Sequence, residues 1–156
     1  MTEIAFAQLA ALNDRYARCI DEDQLEDWPS FFSEACLYKI TTADNYRRGM
    51  EAGLIYAESR AMLQDRVASL RKANVYEGHR YRHIISAPAI MKQVGTSQDS
   101  ESAFLVVRIM RDGTLSLFAT GKYIDRVVMD GGEIRFSQRI VVCDGGNIDA
   151  LLAMPL

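Results

Sequence analysis

The sequence predicts an α+β domain in which a curved antiparallel sheet wraps around N-terminal helices. Helical periodicity is strong over the first 20 residues and returns over residues 59–74. Beyond residue 79, long stretches rich in β-branched and aromatic residues are separated by glycine-containing turns. Long strands joined by tight hairpins must twist strongly, so we expect the sheet to curl around the helices that precede it.

Two helices and a short helical segment are expected before this sheet. Apolar residues recur near the helical period over residues 4–20 and predict a first helix of about five turns, which Thr2 can cap. Asp27 and Pro29 favour a short second helix, since proline is tolerated in a first turn. Residues 59–74 predict a third helix that begins at a serine and ends at an asparagine.

The strands are predicted from alternation and from turn residues. A first strand is expected over residues 36–42, and four more over residues 80–91, 102–110, 115–129 and 133–143. In the last strand, alternation places one set of side chains on the buried side, namely Ile134, Phe136, Ile140 and Val142. The opposite set, Arg135, Ser137 and Arg139, is expected to face away. Residues 49–58 give no clear pattern, and residues 148–154 predict at most a short helix.

Composition indicates one domain spanning residues 1–156, because 49% hydrophobic residues are enough for a sizeable core. A net charge of −3 and a pI near 5.4 argue against a nucleic-acid partner. No apolar run reaches the ~20 residues of a membrane span, and the start lacks signal-peptide features, so a cytoplasmic protein is expected. The scattered Cys19, Cys36 and Cys143 predict buried reduced thiols.

Both histidines lie four residues apart, the spacing that places two metal ligands on one helical face. If the chain is extended from Arg80 onward, His79 and His83 are ~13 Å apart along the strand. Two ligands at ~2.1 Å from one metal cannot then come from both residues. Arg80 and Arg82 add positive charge that repels a cation, so we predict no metal or cofactor site in this chain.

The residue types present are compatible with two other kinds of site, an acid-base site and an anion pocket. His83 could act as an acid-base catalyst oriented by Asp14, Asp65 or Asp125, or could be a histidine fixed by hydrogen bonds at an interface or at the mouth of the sheet. Four arginines could form an anion pocket: Arg66, Arg71, Arg80 and Arg82. The simpler alternative is that these arginines pair with carboxylates and hold helix to sheet, the candidates being Glu58, Asp65 and Glu77.

Several segments together resemble the small (β) subunit of aromatic-ring-hydroxylating dioxygenases, over nearly the whole chain. They are Asp23-x-x-x-x-Trp28-Pro29-x-Phe31-Phe32, Cys36-x-Tyr38, Met62-Leu63-x-Asp65-Arg66-Val67, Tyr81-Arg82-His83-Ile84 and Arg139-Ile140-Val141-Val142-Cys143-Asp144. Within the family, the segments Asn45-Tyr46, Tyr76 to His83 and Met154-Pro155-Leu156 favour members that act on carboxylated rings such as terephthalate. Salicylate- and anthranilate-hydroxylating members come next.

The resemblance implies a cone-shaped fold like those of nuclear transport factor two and scytalone dehydratase, and a structural role in an α3β3 hexamer. The large subunit would hold the Rieske [2Fe-2S] cluster and the Fe(II), and a reductase would supply electrons. No catalytic residue is then expected in this chain. The residues expected to be structural or to form subunit interfaces are Trp28, Asp65, Arg66, Arg80, Tyr81, Arg82, His83, Leu152, Met154 and Leu156.

Two alternatives share the same fold. One is a stand-alone isomerase or dehydratase that uses His83 with an aspartate as acid and base. The other is a non-enzymatic module that binds a small ligand or a protein. The apolar residues near position 156 predict a segment that folds into the core or is buried against another subunit.

Overall fold

The computed structural model describes residues 3–50, 53, 55–73, 79–145 and 155–156. Its helices are α1 (Phe6–Asp21), α2 (Ala43–Arg47) and α3 (Arg60–Ala73), with a 3₁₀ turn at Trp28–Phe31. Its strands are β1 (Phe32–Thr42), β2 (Ile55–Ser59), β3 (His79–Ile85), β4 (Ala89–Val94), β5 (Ser97–Met110), β6 (Leu115–Asp130) and β7 (Glu133–Cys143).

Local hydrogen bonds stabilise the first residues of α1 and α3. The side chain of Gln8 accepts a hydrogen bond from the Ala5 amide at 2.9 Å, so α1 begins at Phe6. Ser59 Oγ accepts from the Met62 amide at 3.2 Å, which confirms a serine at the start of the third helix. The other two predicted boundary residues, Thr2 and Asn74, lie outside the described residues.

The seven strands form one sheet in the order β2-β1-β7-β6-β5-β3, and β4 pairs with β5 farther along that strand. All pairs are antiparallel except β1 with β7, which are parallel. The predicted sheet was wholly antiparallel. A parallel pair is possible here because some 90 residues separate these two strands, which leaves ample chain for a crossover.

Two strand predictions need correction. The single strand expected over residues 80–91 is divided into β3 and β4 by residues 86–88, where Pro88 has no amide hydrogen for a ladder. An unpredicted strand, β2, begins within the stretch over residues 49–58 and pairs with β1.

A third correction concerns the faces of β7. Val127 pairs with Phe136 and Arg126 pairs with Gln138, so Ser137 is an extra residue that makes a bulge. Because one extra residue reverses the alternation, Phe136 and Arg139 both point inward and are 0% exposed. The predicted outward position of Arg139 was therefore wrong.

The helices cover one face of the sheet, and the core lies between the two layers. Helices α1 and α3 contribute apolar stripes, and the sheet contributes a set of aromatic rings; the buried members include Leu9, Leu12, Ile20, Leu63, Val67, Phe32, Tyr38, Tyr123 and Phe136. Leu156 joins this cluster with no exposed surface. The predicted short helix and the residues Leu151, Leu152 and Met154 lie outside the described residues. No helix in the described part of the chain is long and apolar enough to cross a membrane.

Candidate functional site

Strand β3 presents its predicted site residues on two opposite faces. Tyr81 and His83 are buried against the helices, whereas Arg80 and Arg82 are exposed on the outer face of the sheet. His79 and His83 lie on one extended strand, ~13 Å apart, as the sequence indicated. In the ranges that the structure describes, no three residues among histidine, cysteine, aspartate and glutamate are grouped so as to hold a metal ion.

The imidazole of His83 is paired with Asp21, the last residue of α1. Asp21 Oδ2 accepts from the His83 amide at 2.8 Å, and Oδ1 lies 2.6 Å from His83 Nδ1. A carboxylate accepts hydrogen bonds, so His83 Nδ1 is the donor in this contact. The side chains of His83 and Asp21 are 0% and 5% exposed. This contact fastens the C-terminal end of α1 to β3.

The predicted partners of His83 were wrong. Asp14 pairs with Arg18 on the exposed side of α1, Asp125 pairs with Arg139, and Asp65 is exposed on α3. A signal for Asp21 does exist in the sequence. A carboxylate in the last turn of a helix faces the negative end of the helix dipole and therefore needs a compensating donor from elsewhere in the fold.

His83 lines a neighbouring cleft, although its side chain has no exposed surface. That cleft, of about 160 Å³, lies between α1 and the end of β3, and Asn13, Asp14 and Pro88 are among the residues that line it. Nε2 of His83 is buried and has no hydrogen-bond partner in the described structure. Asp21 and His83 thus have the order of an acid-base pair, but the Nε2 atom of His83 is buried.

A second buried charge pair lies at the centre of the fold. Arg139 donates to both carboxylate oxygens of Asp125 at 2.8 Å and to Asn13 Oδ1 at 2.5 Å. Its guanidinium carbon also lies 3.8 Å from the centre of the Tyr123 ring and 4.4 Å from that of Tyr16. Burial opposes the charge of Arg139, but the carboxylate of Asp125 outweighs burial and raises the pKa of the guanidinium. The pair links α1, β6 and β7.

The arginines predicted to converge do not do so. Arg71 binds Glu26 through two hydrogen bonds of 2.9 Å and Asp23 Oδ1 through another, which ties α3 to the segment after α1. Arg66 is half-buried, and Arg80 and Arg82 lie on the opposite side of the sheet. Neither the anion pocket nor the predicted partners of Arg71 are correct. Glu58 instead accepts from Tyr56, and Glu77 lies outside the described residues.

The three cysteines are free and buried, as predicted. Burial, with help from nearby carboxylates, raises the pKa of Cys19 to about 11. Burial, with a smaller contribution from Asp144, raises the pKa of Cys143 to about 12. Burial also raises the pKa of Cys36, against the opposing charge of Arg60. Thiols held in the protonated form are poor nucleophiles and poor metal ligands.

The outer face of β3, β5 and β6 carries an apolar surface that the sequence analysis missed. We call it the outer apolar patch, and it consists of Ile84, Leu105, Val107, Ile109, Leu115 and Leu117. Leu115, Leu117 and Ile84 are 67%, 66% and 57% exposed. A bulge at Phe118 turns Leu115 and Leu117 outward, so strict alternation could not reveal it.

The pairing of these strands places basic side chains beside the outer apolar patch. Arg80 pairs with Ile109 and Arg82 with Val107, so both arginines border it. An apolar area rimmed by charged residues is typical of a protein–protein contact.

The chain is similar to known proteins over almost its whole length. A sequence profile for the ring hydroxylating beta subunit matches residues 15–150. A subunit beta 1 of the terminal oxygenase component of terephthalate 1,2-dioxygenase, from Comamonas sp., is 44% identical over 149 residues, which cover 96% of this chain and 97% of that protein.

The fold of the chain is also similar to those of solved structures. A crystal structure described as the beta subunit of an aromatic-ring-hydroxylating dioxygenase from Novosphingobium aromaticivorans has a TM-score of 0.89 and 35% identity, with 96% of this chain and 95% of that chain covered. A protein described as a scytalone dehydratase from the same organism has a TM-score of 0.66 and 17% identity, with coverages of 89% and 83%. The second likeness concerns the fold alone, and together they confirm the predicted cone-shaped α+β class.

Proposed function

The chain belongs to the ring-hydroxylating β-subunit family, and we propose that it is the non-catalytic, structural subunit of an oxygenase that dihydroxylates a carboxylated aromatic ring. The similarity to a subunit of terephthalate 1,2-dioxygenase over 96% of the chain carries this proposal. It also makes a terephthalate-like acid the substrate class that we expect for the assembled enzyme. The chemistry would take place in the large subunit.

The proposed assembly is an α3β3 hexamer whose large subunits hold the Rieske cluster and the mononuclear iron, with electrons delivered through a reductase. The outer apolar patch supports a contact with another subunit, because its largest side chains remain well over half exposed in the single chain. Arg80 and Arg82 border that patch and would form polar contacts at its rim. The free buried thiols suit a reducing cytoplasm, where we expect the assembly.

The inner residues have a different proposed role. Tyr81, His83 and Trp28 are buried within the single chain and would shape the fold rather than touch a partner. Asp65 is exposed on α3 and available for contacts outside the core, whereas Arg66 is half-buried there and its Nε atom is buried. A stand-alone isomerase or dehydratase is not favoured, since the family match is to an oxygenase subunit and the imidazole of His83 is closed to solvent.

Co-expression tests the proposal directly. The chain is produced with and without a large oxygenase subunit of the same enzyme family, and the molar mass of each product is measured by size-exclusion chromatography with light scattering. We expect a hexamer with a 1:1 subunit ratio that hydroxylates an aromatic acid with O2 when a reductase supplies electrons, and an inactive product from this chain alone under the same conditions. Stoichiometric iron in the isolated chain, or oxidation of an aromatic acid by it, would contradict the proposal.

A further inference from the structure

Leu156 is held inside the cone by hydrogen bonds to two buried tyrosines. The hydroxyl groups of Tyr16 and Tyr38 both donate to its carbonyl oxygen, at 2.7 Å and 3.0 Å. The Leu156 amide in turn donates to the Tyr38 hydroxyl at 3.2 Å. All three residues are 0% exposed. Two O–H donors that converge on one buried oxygen make a site for a partial or full negative charge.

The two tyrosines stand in a rigid aromatic setting. The rings of Trp28 and Tyr38 are 5.1 Å apart and those of Phe32 and Tyr38 are 5.7 Å apart, in edge-to-face geometry. Tyr16 packs edge-to-face on Phe32 at 6.3 Å. Such packing fixes both rings, so their hydroxyl groups are directed toward the same point before any acceptor is present.

Two further donors, Trp28 and Arg66, lie near the two tyrosines. Nε1 of Trp28 is buried without a hydrogen-bond partner in the described structure, and it lies beside the Tyr16 hydroxyl. Arg66 lies close enough that its charge opposes the rise in the Tyr38 pKa. Burial is the main influence on both tyrosines and raises their pKa values, so the hydroxyl groups stay protonated as donors. The surroundings therefore favour an acceptor that carries negative charge.

We propose that Tyr16, Tyr38 and Trp28 form a binding site for small, branched aliphatic carboxylates, and that Leu156 occupies this site as an internal ligand. Leu156 supplies a branched apolar side chain to the core and an oxygen to the two hydroxyl groups. The compound 4-methylpentanoate has the same carbon skeleton with a carboxylate at the carbonyl position. The site is separate from the outer apolar patch and does not depend on the proposed oxygenase role.

The test removes Pro155 and Leu156 and supplies the probe in trans. We expect the shortened chain to bind 4-methylpentanoate in isothermal titration calorimetry and its melting temperature to rise with probe concentration, while the full chain shows neither effect. In the shortened chain, Tyr38→Phe should weaken binding about 10-fold or more, because a hydrogen bond to a charged group is lost. Tyr46→Phe changes an exposed tyrosine on α2 and is the matched control, which should bind normally.

The remaining outcomes are also decisive. The alcohol 4-methylpentan-1-ol keeps the branched chain without the carboxylate and should bind at least about 10-fold more weakly. If the shortened chain is unfolded alone, the probe should restore its circular dichroism spectrum and a cooperative melt. The proposal is overturned if the folded shortened chain does not bind the probe, if alcohol and acid bind equally, or if an unfolded shortened chain stays unfolded at tens of millimolar probe.

Discussion

At the scale of single residues, Arg139 is a fully buried cation matched by one carboxylate. Its hydrogen bonds reach Asp125 on β6 and Asn13 on α1, and aromatic rings cover its faces. Removing one partner of a buried ion pair leaves the other charge without compensation, which costs more than removing both partners. The pair therefore ties the position of α1 to the two central strands.

Arg139→Met should lower the free energy of unfolding by about 3–5 kcal/mol, because the Asp125 carboxylate is then buried without its counter-charge. Guanidinium denaturation followed by circular dichroism measures the change. The double variant Arg139→Met with Asp125→Leu is the matched control and should be more stable than the single variant, since no unpaired charge remains. A double variant that is no more stable than Arg139→Met would show that the charge pair is not the cause.

His83 has a structural role in the proposed function, so its removal should affect folding and assembly before chemistry. In His83→Ala the carboxylate of Asp21 keeps the His83 amide as a donor but loses the imidazole, which loosens the contact of α1 with β3. We expect a lower yield of assembled oxygenase whose turnover per iron is unchanged. Product formation and iron content are measured on the purified assembly. A complete hexamer that contains iron but is inactive would contradict the structural role.

At the scale of elements, periodicity predicted most of the helices and strands, but not the places where strands change register. The pattern of β7 alternates correctly up to Phe136, and one extra residue, Ser137, then reverses it. A bulge is set by pairing with the neighbouring strands, which a single sequence does not contain. For the same reason the inward position of Arg139 and the outward position of Leu117 were missed. Asp21 was missed because its partner is 62 residues away.

Close approach of β6 and β7 depends on a glycine. A Cβ atom added to Gly121 would lie 1.9 Å from the Val142 carbonyl oxygen, a backbone atom that cannot move aside without shifting its strand. Gly121→Ala should lower the free energy of unfolding by about 1–3 kcal/mol through this overlap. Gly145→Ala is the control, since nothing lies within 4 Å of its added Cβ, and should change stability by less than about 0.5 kcal/mol. Equal denaturation midpoints for the two variants would refute the argument.

At the scale of the whole molecule, the two faces of the sheet have different roles: the inner face forms the core and the outer face is exposed. The inner face is closed by α1 and α3 and carries the buried ion pair, the His83 contact and Leu156. The outer face of β3, β5 and β6 keeps large apolar side chains in contact with water. A chain that has a closed core and still exposes a large apolar surface is suited to binding a partner protein. This agrees with its membership of a family of oxygenase subunits.

This division predicts that a charge on the outer face blocks assembly without unfolding the chain. Leu117→Asp replaces a side chain that is 66% exposed, so the melting temperature of the isolated chain should change by no more than a few degrees. Buried against another subunit, the same carboxylate would be desolvated without a partner, and the hexamer recovered on co-expression should fall at least about 10-fold. Phe6→Asp places the same charge on α1, at a side chain that is 50% exposed, and should assemble normally. Equal hexamer yields from the two variants, measured by light scattering, would exclude the outer apolar patch as a subunit contact.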